Sequence, residues 1–210
     1  MKIFLIRHGQ TDLNEKSIFR GRMDVPLNDF GKKQASAVAN RLLKLNIRKI
    51  YTSPLKRAVE TAKIIADKLN IVAELEKDLI DFDFGKWEGL AEEDVQKLYP
   101  RLYMQWLKEP HKVKIPKAEN LDLVRTRISN MLNRILANTE SNIAIVSHRV
   151  VLKILICFAL SLENSYFWRI KQDTGAISIL TYANEKFSLD LLNDTCHLQN
   201  IRNNIETPDF

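Results

Sequence analysis

The sequence predicts an α/β fold in three layers, with a mostly parallel sheet covered by helices on both faces. Short apolar runs that indicate strands alternate with longer segments whose apolar residues recur at helical spacing. Near the end of the chain, two strand-like runs follow each other across a tight turn. This pair predicts a hairpin, and therefore an antiparallel edge strand beside the parallel part of the sheet.

The elements can be placed in order along the chain. Residues 2–6 predict the first strand, and residues 29–45 predict a helix with Gly31 in its first turn. Ser53 and Pro54 predict the N-cap and first turn of a helix that continues to about Leu69, and Asn120 predicts another N-cap. The remaining elements are strands at 49–52, 71–74 and 143–147, helices at 120–138 and 149–160, and a hairpin of 176–182 with 186–192. After Cys196 we expect a polar, frayed tail.

Length and composition limit the class of protein. The 210 residues suit a single domain over 1–210, with a small cap-like helical insertion at about 90–120 where the alternation breaks. A net charge of +6 would suit nucleic acid, an anionic membrane surface or a phosphorylated substrate. Neither a nucleic-acid motif nor an apolar run of membrane-spanning length is present, so we expect a small phosphorylated substrate and no nucleic-acid or membrane partner.

The cysteines indicate the compartment. Cys157 and Cys196 are far apart and form neither a disulfide framework nor a metal site, and Cys157 is expected to be a buried thiol. These features fit a reducing cytoplasm. The sequence does not fix the oligomeric state, and a homodimer stays open.

The residues with the clearest chemical meaning follow the first strand. Arg7 and His8 come directly after an apolar run, and Gly9 lets the backbone turn. Open α/β sheets bind ligands at the carboxyl ends of their strands. An imidazole can attack phosphorus, and a guanidinium group fits phosphate oxygens bidentately. The pair therefore predicts a phosphoryl-transfer site at this edge of the sheet.

Five segments carry a family resemblance in the order in which that family has them. Together they resemble the histidine phosphatase superfamily, also called the phosphoglycerate mutase-like family. The segments are RHGQTDLN at 7–14, FRGRMDVPLN at 19–28, YTSPLKRA at 51–58, DFDFGKWEG at 81–89 and IAIVSH at 143–148. In this family the stretch after the fourth segment covers the active site. From the sequence alone, its aromatic residues could equally pack on the sheet.

The resemblance implies a role for each candidate residue. His8 would be the nucleophile, with its second ring nitrogen donating to a backbone carbonyl, and Asp81 would be the general acid. The predicted phosphate clamp is Arg7, Arg57 and His148, and the predicted substrate contacts are Thr11, Asn14, Arg20, Gly21 and Arg149. No metal or other cofactor is expected, because arginines and His148 supply the positive charge and the histidines lack ligand spacing.

Three departures from the family pattern bear on function. Asp81 stands where glutamate is common, so its carboxyl group reaches roughly 1.5 Å less far, and Asp83 is an alternative proton donor. Arg149 follows the second histidine where many members have glycine, and we expect it either to bind a second anionic group or to point to solvent. The usual Gly-Glu-Ser before the long helix is replaced at residues 118–120.

The leading prediction is a phosphomonoesterase that hydrolyses a small metabolite through a phosphohistidine on His8. Its segment at 84–89 is similar to the phosphatase branch, and its overall pattern is similar to α-ribazole phosphatases and other small-metabolite phosphatases. One alternative is a cofactor-dependent phosphoglycerate mutase, although the longer mutase segment is absent. The second alternative is a catalytically impaired, phospho-ligand-binding or regulatory protein, which the departures at Asp81 and Arg149 would permit.

Overall fold

A six-stranded sheet forms the centre of the structure, a computed structural model that describes residues 1–201. The strands are β1 Lys2–Arg7, β2 Ile47–Thr52, β3 Ala73–Leu75, β4 Asn142–Ser147, β5 Ile177–Ala183 and β6 Lys186–Asp194. They lie side by side in the order β3-β2-β4-β1-β5-β6. Strands β1 to β4 pair in parallel, whereas β5 runs antiparallel to both of its neighbours. The predicted mostly parallel sheet with an antiparallel edge is confirmed.

Helices cover both faces of this sheet. They are α1 Asp12–Glu15, α2 Asp29–Leu42, α3 Lys56–Leu69, α4 Glu92–Leu98, α5 Pro100–Lys108, α6 Leu121–Leu136 and α7 Arg149–Ala159. Successive strand residues point to opposite faces, and β1 therefore serves two cores. Phe4 and Ile6 pack with α2 and α3, while Ile3 and Leu5 pack with α6 and α7. Cys157 is fully buried on α7, as predicted.

Several predicted boundaries are wrong: β3 begins at Ala73 rather than at residue 71, and β2 begins at Ile47 rather than at residue 49. Helix α3 begins at Lys56 and has no side-chain cap, whereas Ser53 was expected to cap it. The reason is that the backbone N–H of Ser53 donates to the Val146 carbonyl at 3.0 Å, so the chain stays extended beside β4 for one more residue. Helix α2 ends at Leu42, three residues early. Asn120 does cap α6, because its Oδ1 accepts from the Leu123 N–H at 2.9 Å.

The last part of the described chain is more ordered than its composition predicts. Asn184 and Glu185 both have positive φ and form the two-residue turn that matches the twist of a hairpin. Residues Cys196–Ile201 form a short 3-10 helix, and Leu198 is buried. The expectation of a frayed tail is therefore wrong up to Ile201, because the apolar Leu198 side chain packs inward. The rest of that expectation concerns residues 202–210, which lie outside the described residues.

The stretch at 90–120 contains α4 and α5, and its large aromatic side chains pack inward. Trp106 is fully buried and Tyr103 nearly so. Trp106 contacts the rings of Phe82 and Phe84, with ring centroids 6.0 and 5.6 Å apart. Tyr103 and Trp106 both belong to the hydrophobic core that also contains Ile3 and Leu5 of β1, so the structure supports a packing role for them. Across residues 1–201, no helix is long and apolar enough to cross a membrane.

Candidate active site

Three neighbouring strands bring the site together at their carboxyl ends. His8 follows β1, His148 follows β4 and Ser53 follows β2, and β4 lies between the other two. The His8 N–H donates to the Ser147 carbonyl at 3.0 Å, which fixes its position beside the end of β4. The imidazole rings of His8 and His148 consequently lie with centroids 5.1 Å apart. The strand order thus explains how residues 140 positions apart meet.

The tautomer of His8 follows from its hydrogen bonds. Nδ1 lies 2.6 Å from the Gly9 carbonyl oxygen, which can only accept, so Nδ1 carries the proton. Nε2 accepts a hydrogen bond from Arg57 Nε at 3.3 Å. Burial, followed by the positive charge of Arg57, lowers the pKa of His8 well below its usual 6.5. His8 is therefore neutral at pH 7, with its lone pair on Nε2, and the predicted contact of the other nitrogen is confirmed.

A close approach between two glycines holds the loop that carries His8. A Cβ atom on Gly9 would lie 2.4 Å from the Gly31 carbonyl oxygen, and one on Gly31 would lie 2.1 Å from that of Gln10. Gln34 also stabilises this loop. Its Oε1 accepts from the Gln10 N–H at 2.8 Å, and its Nε2 donates to the Thr174 carbonyl at 3.1 Å. The first two turns of α2 thereby position the backbone next to His8.

Arg57 is the central buried cation of the site. It is the second residue of α3, so it lies closer to the helix N-terminus than the sequence predicts. Its Nη2 donates to Asp81 Oδ2 at 2.9 Å and to the Gly21 carbonyl at 2.8 Å, while Nη1 donates to the Met23 carbonyl at 2.8 Å. The guanidinium group of Arg57 therefore contacts His8, Asp81 and the loop at Gly21 at the same time.

The loop around Gly21 depends on a residue to which the sequence analysis assigned no role. Gly21 has φ +48°, and a Cβ atom there would lie 1.8 Å from Glu88 Oε1. That oxygen accepts from the backbone N–H groups of Arg22 at 2.8 Å and Phe84 at 3.2 Å. Glu88 therefore links the Gly21 loop to the segment that follows Asp81. Its position beside Trp87 in the fourth motif is the signal that could have identified it.

The two aspartates of the fourth motif have different surroundings. Asp81 is buried, its Oδ1 accepts from the Phe82 N–H at 2.8 Å, and its Oδ2 lies 3.5 Å from His148 Nδ1. Asp83 Oδ1 instead accepts from the Gly85 N–H at 2.8 Å, and its Oδ2 lies 3.6 Å from Arg22 Nη1. Asp83 therefore stabilises a turn, and Asp81 is the aspartate placed beside His148, in the pocket that His8 also lines.

Ser53 contacts His148 rather than capping α3. Its Oγ accepts from the Leu55 N–H at 3.3 Å and lies 2.7 Å from His148 Nε2. The hydroxyl proton is thus available to Nε2, which would leave the imidazole proton on Nδ1, the nitrogen that faces Asp81. Burial, followed by the charge of Arg57, lowers the pKa of His148 well below 6.5. Ser53 was missed because its place before Pro54 suggested a cap.

A pocket opens over His8. Five of the candidate residues line it, together with apolar side chains from three separate segments. The lining residues are His8, Ile18, Phe19, Arg20, Gly21, Asp81, Phe84, Arg149 and Val150. Arg149 is buried, so the expectation that it points to solvent is wrong. No residue at 90–120 lines this pocket in the described chain, and Tyr103 and Trp106 pack in the hydrophobic core instead.

The remaining candidates hold the loop after β1. Thr11 and Asn14 form a capping box for α1: Asn14 Oδ1 accepts from the N–H and Oγ1 of Thr11 at 3.0 and 2.9 Å. Neither residue lines the pocket, so their substrate contacts stay predictions. Arg7 is buried, and its Nη1 donates to the Gln172 carbonyl at 2.5 Å.

The arrangement is that of a phosphoryl-transfer site, and comparisons with known proteins identify the family. Residues 3–195 match the model of the histidine phosphatase superfamily (branch 1). Phosphoserine phosphatase 1 from Hydrogenobacter thermophilus is 33% identical over 199 residues, which cover 94% of each chain. The chain therefore belongs to the histidine phosphatase superfamily, and it is a phosphatase.

Solved structures agree with this assignment. YhfR from Bacillus stearothermophilus is 26% identical and superimposes with a TM-score of 0.89, over 94% of this chain and 99% of that one. A putative α-ribazole-5'-P phosphatase from Escherichia coli is 25% identical with a TM-score of 0.84, over 92% and 96%. Neither the mutase nor the impaired-protein alternative is favoured by these relatives.

Proposed function

We propose that the chain hydrolyses phosphate monoesters of small metabolites in two steps, through a phosphohistidine on His8. The observation that carries this proposal is the tautomer of His8. Its Nδ1 proton is held by the Gly9 carbonyl at 2.6 Å, which leaves the lone pair of Nε2 as the nucleophile. The phosphatase names of relatives with 25% and 33% identity support the same reaction class.

In the first step, Arg7, Arg57 and His148 bind the phosphoryl oxygens. Arg57 suits this role because its Nε lies 3.3 Å from the attacking nitrogen. A bond forms between His8 Nε2 and phosphorus while the ester P–O bond breaks. The leaving oxygen takes a proton from Asp81. The Gly9 carbonyl stabilises the positive charge that develops on the imidazole ring.

In the second step, water attacks the phosphohistidine. The P–N bond breaks and its electron pair returns to His8 Nε2, while Asp81 accepts the proton that water loses. Inorganic phosphate leaves, and both residues regain their starting protonation states. The positive charge needed at phosphorus comes from Arg7 and Arg57, and the neutral His148 contributes a hydrogen bond, so we propose that turnover needs no metal ion.

Turnover of p-nitrophenyl phosphate tests this proposal. We expect His8→Asn to lower kcat at least about 10³-fold, because removing a covalent nucleophile removes the pathway. His111→Asn is the matched control, since His111 does not line the pocket, and it should retain wild-type turnover. Excess EDTA should leave the wild-type rate unchanged. Wild-type turnover by His8→Asn, or loss of activity on chelation that Mg²⁺ restores, would contradict the proposal.

A further inference from the structure

The chain around Asp81 is held in place through its backbone. Residues 80–84 belong to no helix or strand, so no regular ladder of hydrogen bonds fixes them. Instead, four carbonyl groups in residues 78–83, here called the Asp81 segment, accept hydrogen bonds from outside it. They are the carbonyls of Asp78, Leu79, Asp81 and Asp83, which accept from Arg127, Ser147, Arg22 and Glu119, respectively. Because aspartate has a short side chain, the position of this backbone decides where the Asp81 carboxyl group lies.

Glu119 holds one end of the Asp81 segment through Arg127 of helix α6. Its carboxylate accepts two hydrogen bonds from this arginine, from Nε at 3.0 Å and from Nη2 at 3.2 Å. The remaining nitrogen, Nη1, donates to the Asp78 carbonyl. The side chains of Glu119 and Arg127 are only 10% and 14% exposed, and a bidentate arginine–carboxylate pair has a defined geometry. Glu119 therefore fixes the guanidinium group that contacts Asp78.

The same carboxylate holds Arg22 against the backbone of Asp81 itself. Arg22 Nη2 donates to Glu119 Oε2 at 3.3 Å, and its Nε donates to the Asp81 carbonyl at 3.3 Å. A second carboxylate, that of Asp83, lies farther from this guanidinium group, at 3.6 Å. The Arg22 side chain is 37% exposed, and a long exposed side chain samples several rotamers unless its charged end is bound. The contact of Arg22 with Asp81 therefore depends on Glu119.

We propose that Glu119 is a positioning residue for Asp81, and that it acts through Arg22 and Arg127. The inference rests on the proposed function, because Asp81 must be the proton donor. In the described chain Glu119 is not among the residues that line the pocket over His8, so it reaches the reaction only through the Asp81 segment. Proton transfer requires hydrogen-bond distance, and a displacement of about 1 Å can cost up to 10²-fold in rate. Loss of Glu119 should therefore resemble a partial loss of Asp81.

Phenyl phosphate and p-nitrophenyl phosphate test this role, because they are similar in size but differ in their need for a proton donor. The phenol group of tyrosine titrates at a pKa of about 10, so phenolate is a poorer leaving group than p-nitrophenolate. We expect Glu119→Gln to lower kcat/KM for phenyl phosphate about three- to tenfold more than for p-nitrophenyl phosphate. Rates are compared at a temperature at which circular dichroism shows each variant to be folded. Arg22→Gln should show the same pattern more weakly, and it replaces Glu119→Gln if that variant does not fold.

Glu76→Gln is the matched control for loss of a carboxylate paired with an arginine of α6. Glu76 Oε2 lies 3.2 Å from Arg134 Nη2, and in the described chain Glu76 contacts neither Arg22 nor Arg127. This variant should therefore leave the ratio of kcat/KM for the two substrates unchanged. A fall in that ratio as large as in Glu119→Gln would overturn the assignment, because any broken ion pair beside α6 would then have the same effect.

A double-mutant cycle separates positioning of Asp81 from a general structural effect. In the Asp81→Asn background the proton donor is gone, so Glu119→Gln should no longer change the ratio. Equal losses with both substrates in Glu119→Gln, or a ratio that falls as far in the Asp81→Asn background, would overturn this role and leave the His8 pathway intact. A wild type that hydrolyses p-nitrophenyl phosphate but not phenyl phosphate would overturn Asp81 as the acid, and the inference with it. Absence of His8-dependent hydrolysis of p-nitrophenyl phosphate would overturn the proposed function itself.

Discussion

Exchanging Asp81 for Asn tests the proposed proton donor while the shape of the pocket stays nearly the same. An alkoxide is a poor leaving group and needs a proton as the P–O bond breaks, whereas p-nitrophenolate is stable near neutral pH. Asp81→Asn should therefore lower kcat with an alkyl phosphate by about 10²- to 10⁴-fold and much less with p-nitrophenyl phosphate. A larger loss of kcat with the alkyl phosphate than with p-nitrophenyl phosphate would identify Asp81 as the proton donor.

The structure also sets the expected effect of Asp81→Asn on folding. Arg57 would lose its ion pair at 2.9 Å but keep the carbonyls of Gly21 and Met23 as acceptors, each at 2.8 Å. The amide oxygen of asparagine can replace one carboxylate oxygen. We therefore expect a loss of about 1–3 kcal/mol in the free energy of unfolding, below the 3–5 kcal/mol typical of a fully broken buried pair.

Steady-state kinetics with both substrate types, together with urea unfolding, measure these two effects. Asp83→Asn is the matched control, because Asp83 stabilises the turn at Gly85 and should show no leaving-group dependence. Asp81→Glu restores the residue common in the family and extends the carboxyl group by about 1.5 Å, so it should keep acid catalysis. Equal losses with both substrates in Asp81→Asn, or the leaving-group pattern in Asp83→Asn alone, would refute the assignment.

Three further predictions follow from the site. Ser53→Ala should move the proton of His148 from Nδ1 toward Nε2, visible in ¹⁵N NMR, and lower kcat by about tenfold; an unchanged tautomer would refute this role. Gly21→Ala should lower the free energy of unfolding by about 1–3 kcal/mol, because alanine is strained at φ +48° and displaces Glu88; urea unfolding measures it, and a neutral effect would contradict it. The lowered pKa values of His8 and His148 mean that the unfolded chain binds more protons below pH 6.5. The free energy of unfolding should therefore fall as the pH drops below 6.5, by up to about 1.4 kcal/mol per pH unit for each histidine, and His148→Gln should reduce that slope.

The sequence predicts those parts of the fold that depend on local pattern. Apolar runs and helical spacing locate all six strands and the long helices, because each pattern is set by burial on a sheet face. The start of α3 is not predictable in this way. Ser53 stays in the extended conformation because Val146, on a neighbouring strand, accepts its N–H. That contact is fixed by strand order, which a local pattern does not contain.

The same distinction applies to the site. His8, Arg57 and His148 are predictable because each follows a strand or starts a helix within a specific motif. The different roles of Asp81 and Asp83 are not predictable from the sequence. They depend on which carboxylate contacts Arg57 and which contacts Arg22. The burial of Arg149 is also a tertiary property, because a first-turn helix residue can face either the pocket or the solvent.

The most direct test of the account is to trap the covalent intermediate. Wild-type protein mixed with substrate and quenched in alkali should carry phosphate on His8, detected by mass spectrometry and lost on mild acid treatment. His8→Asn should carry none, and His111→Asn should match the wild type. In ³¹P NMR, the signal should be that of a phosphate attached to nitrogen. Phosphate found on another residue, or steady hydrolysis with no phosphoenzyme on any quench time scale, would contradict the central claim that His8 carries the phosphoryl group.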